Sequence, residues 1–165
     1  MSKLSHIDAS GAASMVDVGD KPVTRRVAVA EAFVDVSGEL AAAIRENSLA
    51  KGDLLAVARL AGVQAAKRTD ELIPLCHSLP LDVVDVQAAV TPADAASHHV
   101  RIVATASTHS RTGVEMEALV AAGVAALTVI DMGKAIDRAM VVRGLRVLEK
   151  RGGRGGEYVA KDRVP

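Results

Sequence analysis

The stretch VTRRVAVAEAFVDVS, residues 23–37, decides the fold. Val27, Val29 and Phe33 recur on one side of an extended chain, with Arg26 and Ala28 between them, which is the two-residue period of a β-strand. Ser37 then suits the N-cap of GELAAAIRENS, so the strand gives way to a short helix. Asp53, a carboxylate where a helix start favours one, opens LLAVARLAGVQAAKR, where Leu54, Val57, Leu60 or Ala61, and Gln64 recur at helical spacing and Lys67 and Arg68 close the run where the dipole favours cations. Pro74 forbids continuation, and IPLCHSLPLD (73–82) reads as a structured loop. Val83 to Val90 and Val100 to Ala106 are β-rich, with a turn over Thr91 to His99 between them, and together predict a hairpin. Gly113 to about Ala139 predicts a helix about 40 Å long, and Val141 to Leu148 a last strand. The order β-α-α-β-β-α-β predicts an α+β, ferredoxin-like fold: a four-stranded antiparallel sheet with helices packed on one face. Residues 1–22 read as a mobile N-terminal arm, 23–150 as the single domain and 151–165 as a Gly/Arg-rich tail.

Composition narrows the partners. Twenty basic and 20 acidic side chains cancel, so no general attraction to nucleic acid or anionic membrane is expected. Phe33 and Tyr158 are the only aromatic residues, too few for a base-stacking platform. Hydrophobic residues at 50% against 24% charged predict a folded chain rather than a disordered one. Alanine and valine dominate that apolar half, and because small side chains each bury little area, such a core gains from oligomerisation. The apolar run from Ala118 to Ile130 falls short of the roughly 18 residues of a membrane span. A lone Cys76 and a start without a signal-like apolar run point to the reducing cytoplasm.

Four constellations could carry chemistry. Asp131 and Lys134 stand at i,i+3 within LTVIDMGKAI, either a surface ion pair or a pair bordering a packed face, where desolvation shifts protonation. Cys76 and His77 sit in the Pro-bounded loop, where ligand-contacting groups tend to be held; His77 is a candidate hydrogen-bonding group or a satisfied structural histidine. One thiol and no zinc-like spacing lead us to expect no metal site. Lys51 precedes a helix start, the unfavourable side of the dipole, and so calls for a compensating anion. Lys67, Arg68, Arg111, Lys150, Arg151 and Arg154 flank other element ends, and with helix N-termini and a Gly-rich tail they suit a polyphosphate, although no P-loop is present. Glu115, Met116 and Glu117 open the long helix, where carboxylates either offset the dipole or accept from the N–H groups of a heterocycle.

Four separated segments, LSHIDASGAASMVDVGDKPVTRRVAVAEAFV (4–34), KGDLLAVARLAGVQAAKRTDELIPLCH (51–77), TGVEMEAL (112–119) and LTVIDMGKA (127–135), together resemble the MoaC family. The resemblance spans nearly the whole chain. It implies a ferredoxin-like subunit in a homohexamer, a trimer of dimers with active sites at subunit interfaces. It implies a lyase of molybdenum cofactor biosynthesis that converts 3',8-cyclo-7,8-dihydroguanosine 5'-triphosphate into cyclic pyranopterin monophosphate and releases pyrophosphate. Asp131 is the catalytic residue so implied, with Lys134 and Lys51 in acid-base work. Leu75, Cys76 and His77, together with Met116 and Glu117, match its substrate-binding segments, Glu115 lies beside them, and Lys67 and Arg26 match basic positions that would meet phosphates. No redox cofactor is implied; whether Mg²⁺ accompanies the triphosphate is not legible. Ser78 stands where members usually carry Pro, and Ile130 where an aromatic is common. A non-catalytic nucleotide-binding oligomer is the alternative, because fold alone does not establish function.

Overall fold

The computed structural model describes residues 11–92, 98–153 and 155–161. The chain runs β1 (Thr24–Val36), α1 (Gly38–Arg45), α2 (Leu54–Ala66), α3 (Thr69–Leu72), β2 (Val83–Pro92), β3 (His98–Ser110), α4 (Glu115–Gly133), β4 (Val141–Arg151) and β5 (Tyr158–Val159). One antiparallel sheet has the order β2-β3-β1-β4-β5, with β1 flanked by β3 and β4. The α+β class is as expected, but the sheet has five strands rather than four. The fifth comes from the tail, where Tyr158 and Val159 pair with Lys150 and Glu149 and extend the β4 edge.

Strand β1 corrects the reading of its own faces. Ala28, Ala30, Ala32, Val34 and Val36 form the face buried in the main core, together with the alanines of α4. Val27, Val29 and Phe33, which catch the eye as the apolar side, lie on the opposite face. Small residues win the core side because α4 is itself alanine-rich there (Ala118, Ala121, Ala122, Ala125 and Ala126), and two small-residue surfaces approach closely. The opposite face buries Glu31 completely, clamped by Arg101 at 3.0 Å from β3 and Arg146 at 2.9 Å from β4. A buried carboxylate is tolerable only with such partners.

Other boundaries differ for local reasons. Strands β2 and β3 run further than expected, taking in Thr91, Pro92, His98 and His99 from the predicted turn, because their cross-strand register continues to Pro92 and His98. Ser37 caps α1 by accepting from the Leu40 amide at 3.2 Å, as the sequence predicts, and Asp53, expected at a helix start for its charge, caps α2 by accepting from Ala56 at 2.9 Å. Helix α4 is shorter than expected, 19 residues or about 28 Å. It ends at Gly133, and Asp137 is diverted to accept from the amides of Ser37 at 2.7 Å and Ala139 at 2.9 Å. By length and composition alone α4 could cross a membrane, unlike the shorter run counted from sequence. In the fold it packs against the sheet and α2, with nine of its residues buried.

Candidate active site

At the C-terminal end of α4 the carboxylate of Asp131 lies between two ammonium groups. Lys134, one turn on, donates to Oδ1 at 2.6 Å, while Lys51, from the turn ahead of α2, donates to Oδ2 at 3.3 Å and to the Asp131 carbonyl at 2.8 Å. Lys51 thereby meets the anion that its position at a helix start called for, and the C-terminal carbonyl of α4 adds the negative end of a dipole. The expected desolvation is corrected: the Asp131 side chain is 62% exposed. Its carboxyl is held below the usual range by hydrogen bonds from Lys134 and then Lys51, with the charge of the same two groups adding to the effect. An exposed carboxylate that fixes two ammonium heads at one point can hold and hand on protons for a ligand brought to it.

A cavity of about 420 Å³ lies at the other end of α4. Leu75, Cys76, His77, Glu115, Met116 and Glu117 all line it, so the two substrate-binding segments expected from sequence do converge. Val16, Val18 and Lys21 of the N-terminal arm form another wall. The arm is fixed there by His77, whose Nε2 lies 2.9 Å from the Val16 carbonyl. A carbonyl can only accept, so Nε2 carries a proton and donates it to Val16. Burial pushes the Cys76 thiol up, with the Glu117 and Asp70 charges adding to it. Burial likewise raises the Glu117 carboxyl to about 7, a shift that Glu115 and Asp70 reinforce. The Ser78 hydroxyl donates to the Asp70 carboxylate, tying this loop to α3.

A second cavity, about 410 Å³, shares Lys21 and Thr112 with the first and is lined by Arg26, Arg111, Lys150, Gly153 and Gly155. Arg26 is 8% exposed; its Nε donates to the Ser110 carbonyl and its Nη2 to that of Arg111, both at 3.3 Å, two of its five donors. Gly152 and Gly153 pass over it with positive φ, where a Cβ would overlap the Arg25 carbonyl and the Arg26 guanidinium. Gly153 and Gly155 therefore form a wall of this basic cavity. Lys150 reaches Glu115 at 2.5 Å across the boundary between the two cavities. Lys67 is not brought to Arg26: it lines a third cavity with Val63, Leu81, Asp82 and Val84, which touches the first only through Leu79. Lys21 escaped the sequence reading, since a lysine before a proline in an irregular arm carries no periodic signal; Arg111 and Lys150 were visible as cations but had no partner to single them out.

The separation of these groups matters most. Asp131 and Glu117 are 14 positions apart on one helix, about 21 Å of axial rise. Within one copy the two groups of side chains therefore stand at opposite ends of α4. Among the described residues no cluster of three or more His, Cys, Asp or Glu side chains could hold a metal.

Comparison with known proteins places these features. The family model described as the MoaC family matches residues 15–153. A cyclic pyranopterin monophosphate synthase of Thermomicrobium roseum is 52% identical over 162 residues, 98% of this chain and 96% of the relative. Synthases of the same name from Novosphingobium aromaticivorans and a Methylobacterium species are 50% identical over 162 residues and 53% identical over 160, covering 100% and 98% of those proteins.

Proposed function

The chain belongs to the MoaC family, and from that membership we propose that it is a lyase converting 3',8-cyclo-7,8-dihydroguanosine 5'-triphosphate to cyclic pyranopterin monophosphate and pyrophosphate, a step of molybdenum cofactor biosynthesis. Relatives that bear an enzyme's name leave the non-catalytic binding module without support. The cavity at the N-terminal end of α4 takes the heterocycle, with His77 and the acidic helix start reading its polar edge. The adjoining basic cavity, with Lys21, Arg26, Arg111 and Lys150, takes the phosphates and stabilises charge on the departing pyrophosphate. Lys51, Lys134 and Asp131 move the protons that ring opening, ring closure and attack on a phosphoryl group require.

The observation that carries this reading is the division of the machinery between the two ends of α4. A complete site needs Asp131, Lys134 and Lys51 of one copy beside the cavity of another, which is the physical reason for an oligomer. Val57, Leu60 and Leu127, large apolar side chains left exposed on α2 and α4, supply surface for such contacts. We propose the hexameric, trimer-of-dimers assembly, working in the cytoplasm with a small-molecule triphosphate rather than nucleic acid or membrane as its partner.

The test is complementation between copies. Asp131→Asn and His77→Ala proteins are each expected to lose pyrophosphate release and formation of an oxidisable, fluorescent pterin from the cyclic triphosphate. Oligomers mixed from the two contain some sites with both wild-type halves, so turnover returns to a fraction of wild type. Failure to regain turnover in demonstrably mixed oligomers, or a fully active monomer by light scattering, refutes the shared site.

A further inference from the structure

We infer that Glu117 meets the substrate's heterocycle as a neutral carboxylic acid, donating from its O–H and accepting at its C=O, so that it selects a lactam-like edge rather than a pair of N–H groups. The inference rests on the reading of this cavity as the substrate pocket.

Glu117 is 4% exposed and forms part of the cavity lining. Its carboxyl receives a bond from its own backbone N–H, and among the described residues no cation bonds it. The charged and titratable groups around it come from every wall, and the Cys76 thiol from the loop after α3, itself pushed up by burial, adds no positive charge. Glu115 from the same helix and Asp70 from α3 are acidic, and both disfavour a second negative charge. Lys150 from β4 is engaged by Glu115 at 2.5 Å. Lys21 from the arm lines the cavity without bonding Glu117, and the His77 Nε2 proton is committed to the Val16 carbonyl. The trio that a neighbouring copy would bring carries one net positive charge, which works against the effect of burial, but both of its ammonium groups already bond Asp131. A buried carboxylate with acidic neighbours and no ammonium or guanidinium partner lowers its free energy by keeping its proton, and burial does raise this group to about 7.

The protonation state decides what the group can read. An ionised carboxylate only accepts, and so pairs with two adjacent N–H donors; a carboxylic acid both donates and accepts, and so pairs with an N–H beside a C=O. Leaving either pattern mismatched in a buried site costs a full unsatisfied polar group.

The experiment uses the full-length wild-type protein and two probes, GTP and ribose 5'-triphosphate. The second is the same triphosphate monoester and shares the phosphate titration of the first but carries no base, so the ratio of the two affinities at each pH isolates the heterocycle. That ratio is expected to be level below about pH 7 and to fall about tenfold per pH unit above it; Glu117→Gln, which cannot ionise, removes the slope. A ratio that stays flat or rises with pH in the wild type overturns the inference, and this holds whether or not the Gln variant folds. Binding of neither probe overturns it in a distinguishable way, by removing the pocket reading itself.

Discussion

Gly62→Ala is expected to destabilise the protein even though alanine is the better helix former. Gly62 lies on α2 where the helix meets α4, and a Cβ there would come within 2.8 Å of the Ala121 carbonyl oxygen, 3.2 Å of Val86 Cγ2 and 3.3 Å of Ala125 Cβ. The carbonyl belongs to the backbone of α4 and cannot rotate aside, so α2 must retreat by about half an ångström to restore an ordinary contact distance. Overpacking of this kind costs about 1–3 kcal/mol, and three short contacts including one with backbone place it at the upper end. The helix-propensity gain returns about 1 kcal/mol, leaving a net loss of about 2 kcal/mol and a Tm lower by about 4–8 °C. Gly123→Ala on α4 is the control. Its Cβ would meet only Leu145 Cδ2, at an ordinary 3.6 Å, so the propensity gain of up to about 1 kcal/mol should show as a higher Tm. The two variants also separate in activity, because Lys51 stands just ahead of the α2 cap and a retreat of α2 lengthens its bonds to Asp131. Thermal and urea unfolding with pyrophosphate release on both proteins decide the matter. A Gly62→Ala protein as stable as wild type would refute the close-packing argument.

Three further outcomes follow from individual sites. Glu31→Ala strands two arginines on the sheet, and breaking such a buried pair should cost about 3 kcal/mol, the lower end of the usual range because both arginines still reach water; an unmoved urea midpoint would contradict it. Gly153→Ala forces a side chain into the Arg26 guanidinium at a positive φ, so affinity for tripolyphosphate should fall several-fold while the apolar core is untouched; unchanged affinity would remove the tail from the basic cavity. The folded protein holds the Glu117 proton up to about pH 7, whereas the unfolded chain releases it near 4.5. The native state therefore binds more protons between those values, and stability falls as pH rises across that window, by about 2 kcal/mol after allowing for the open cavity mouth. Glu117→Gln should flatten that part of the urea-midpoint profile, and an unchanged slope would assign it elsewhere.

The legible part of the fold was the part governed by local rules. Ser37 caps its helix as predicted, and Asp53 stands at the helix start expected of it, because a hydroxyl or carboxylate at that position has nearby amides to satisfy. The end of α4 was missed because a tertiary bond overrides propensity: Asp137 satisfies the Ser37 amide 100 residues away, and nothing within ten residues of it announces that partner. The same limit hid the core face of β1. An alanine face looks like a gap in an apolar pattern until the alanine face of α4 is laid on it, so which side is inside depends on two distant segments together. For the site, the motifs located the residues, and the structure added their arrangement. It joined Lys51 to Asp131 and gathered Leu75 to His77 with Glu115 to Glu117, but set Lys67 apart from Arg26.

That arrangement explains why a single helix matters so much here. Helix α4 carries an acidic start, where amides favour negative charge, and ends where carbonyls favour the ammonium groups of Lys51 and Lys134. Each half-site therefore sits at the end of the dipole that suits its charge, and the two cannot be moved together within one chain without placing one of them at the wrong end. Sharing the site between copies, as proposed, would resolve the conflict. A neighbouring copy would bring the C-terminal end of its α4, with Lys51 and Lys134, to the N-terminal end of the other, so that the two helix dipoles would meet at opposite ends. Salt should therefore weaken turnover by way of assembly as well as by substrate affinity. At saturating substrate, loss of activity with rising ionic strength is expected to follow loss of the oligomer in light scattering, and an intact oligomer with falling turnover would assign the effect to the phosphate cavity alone.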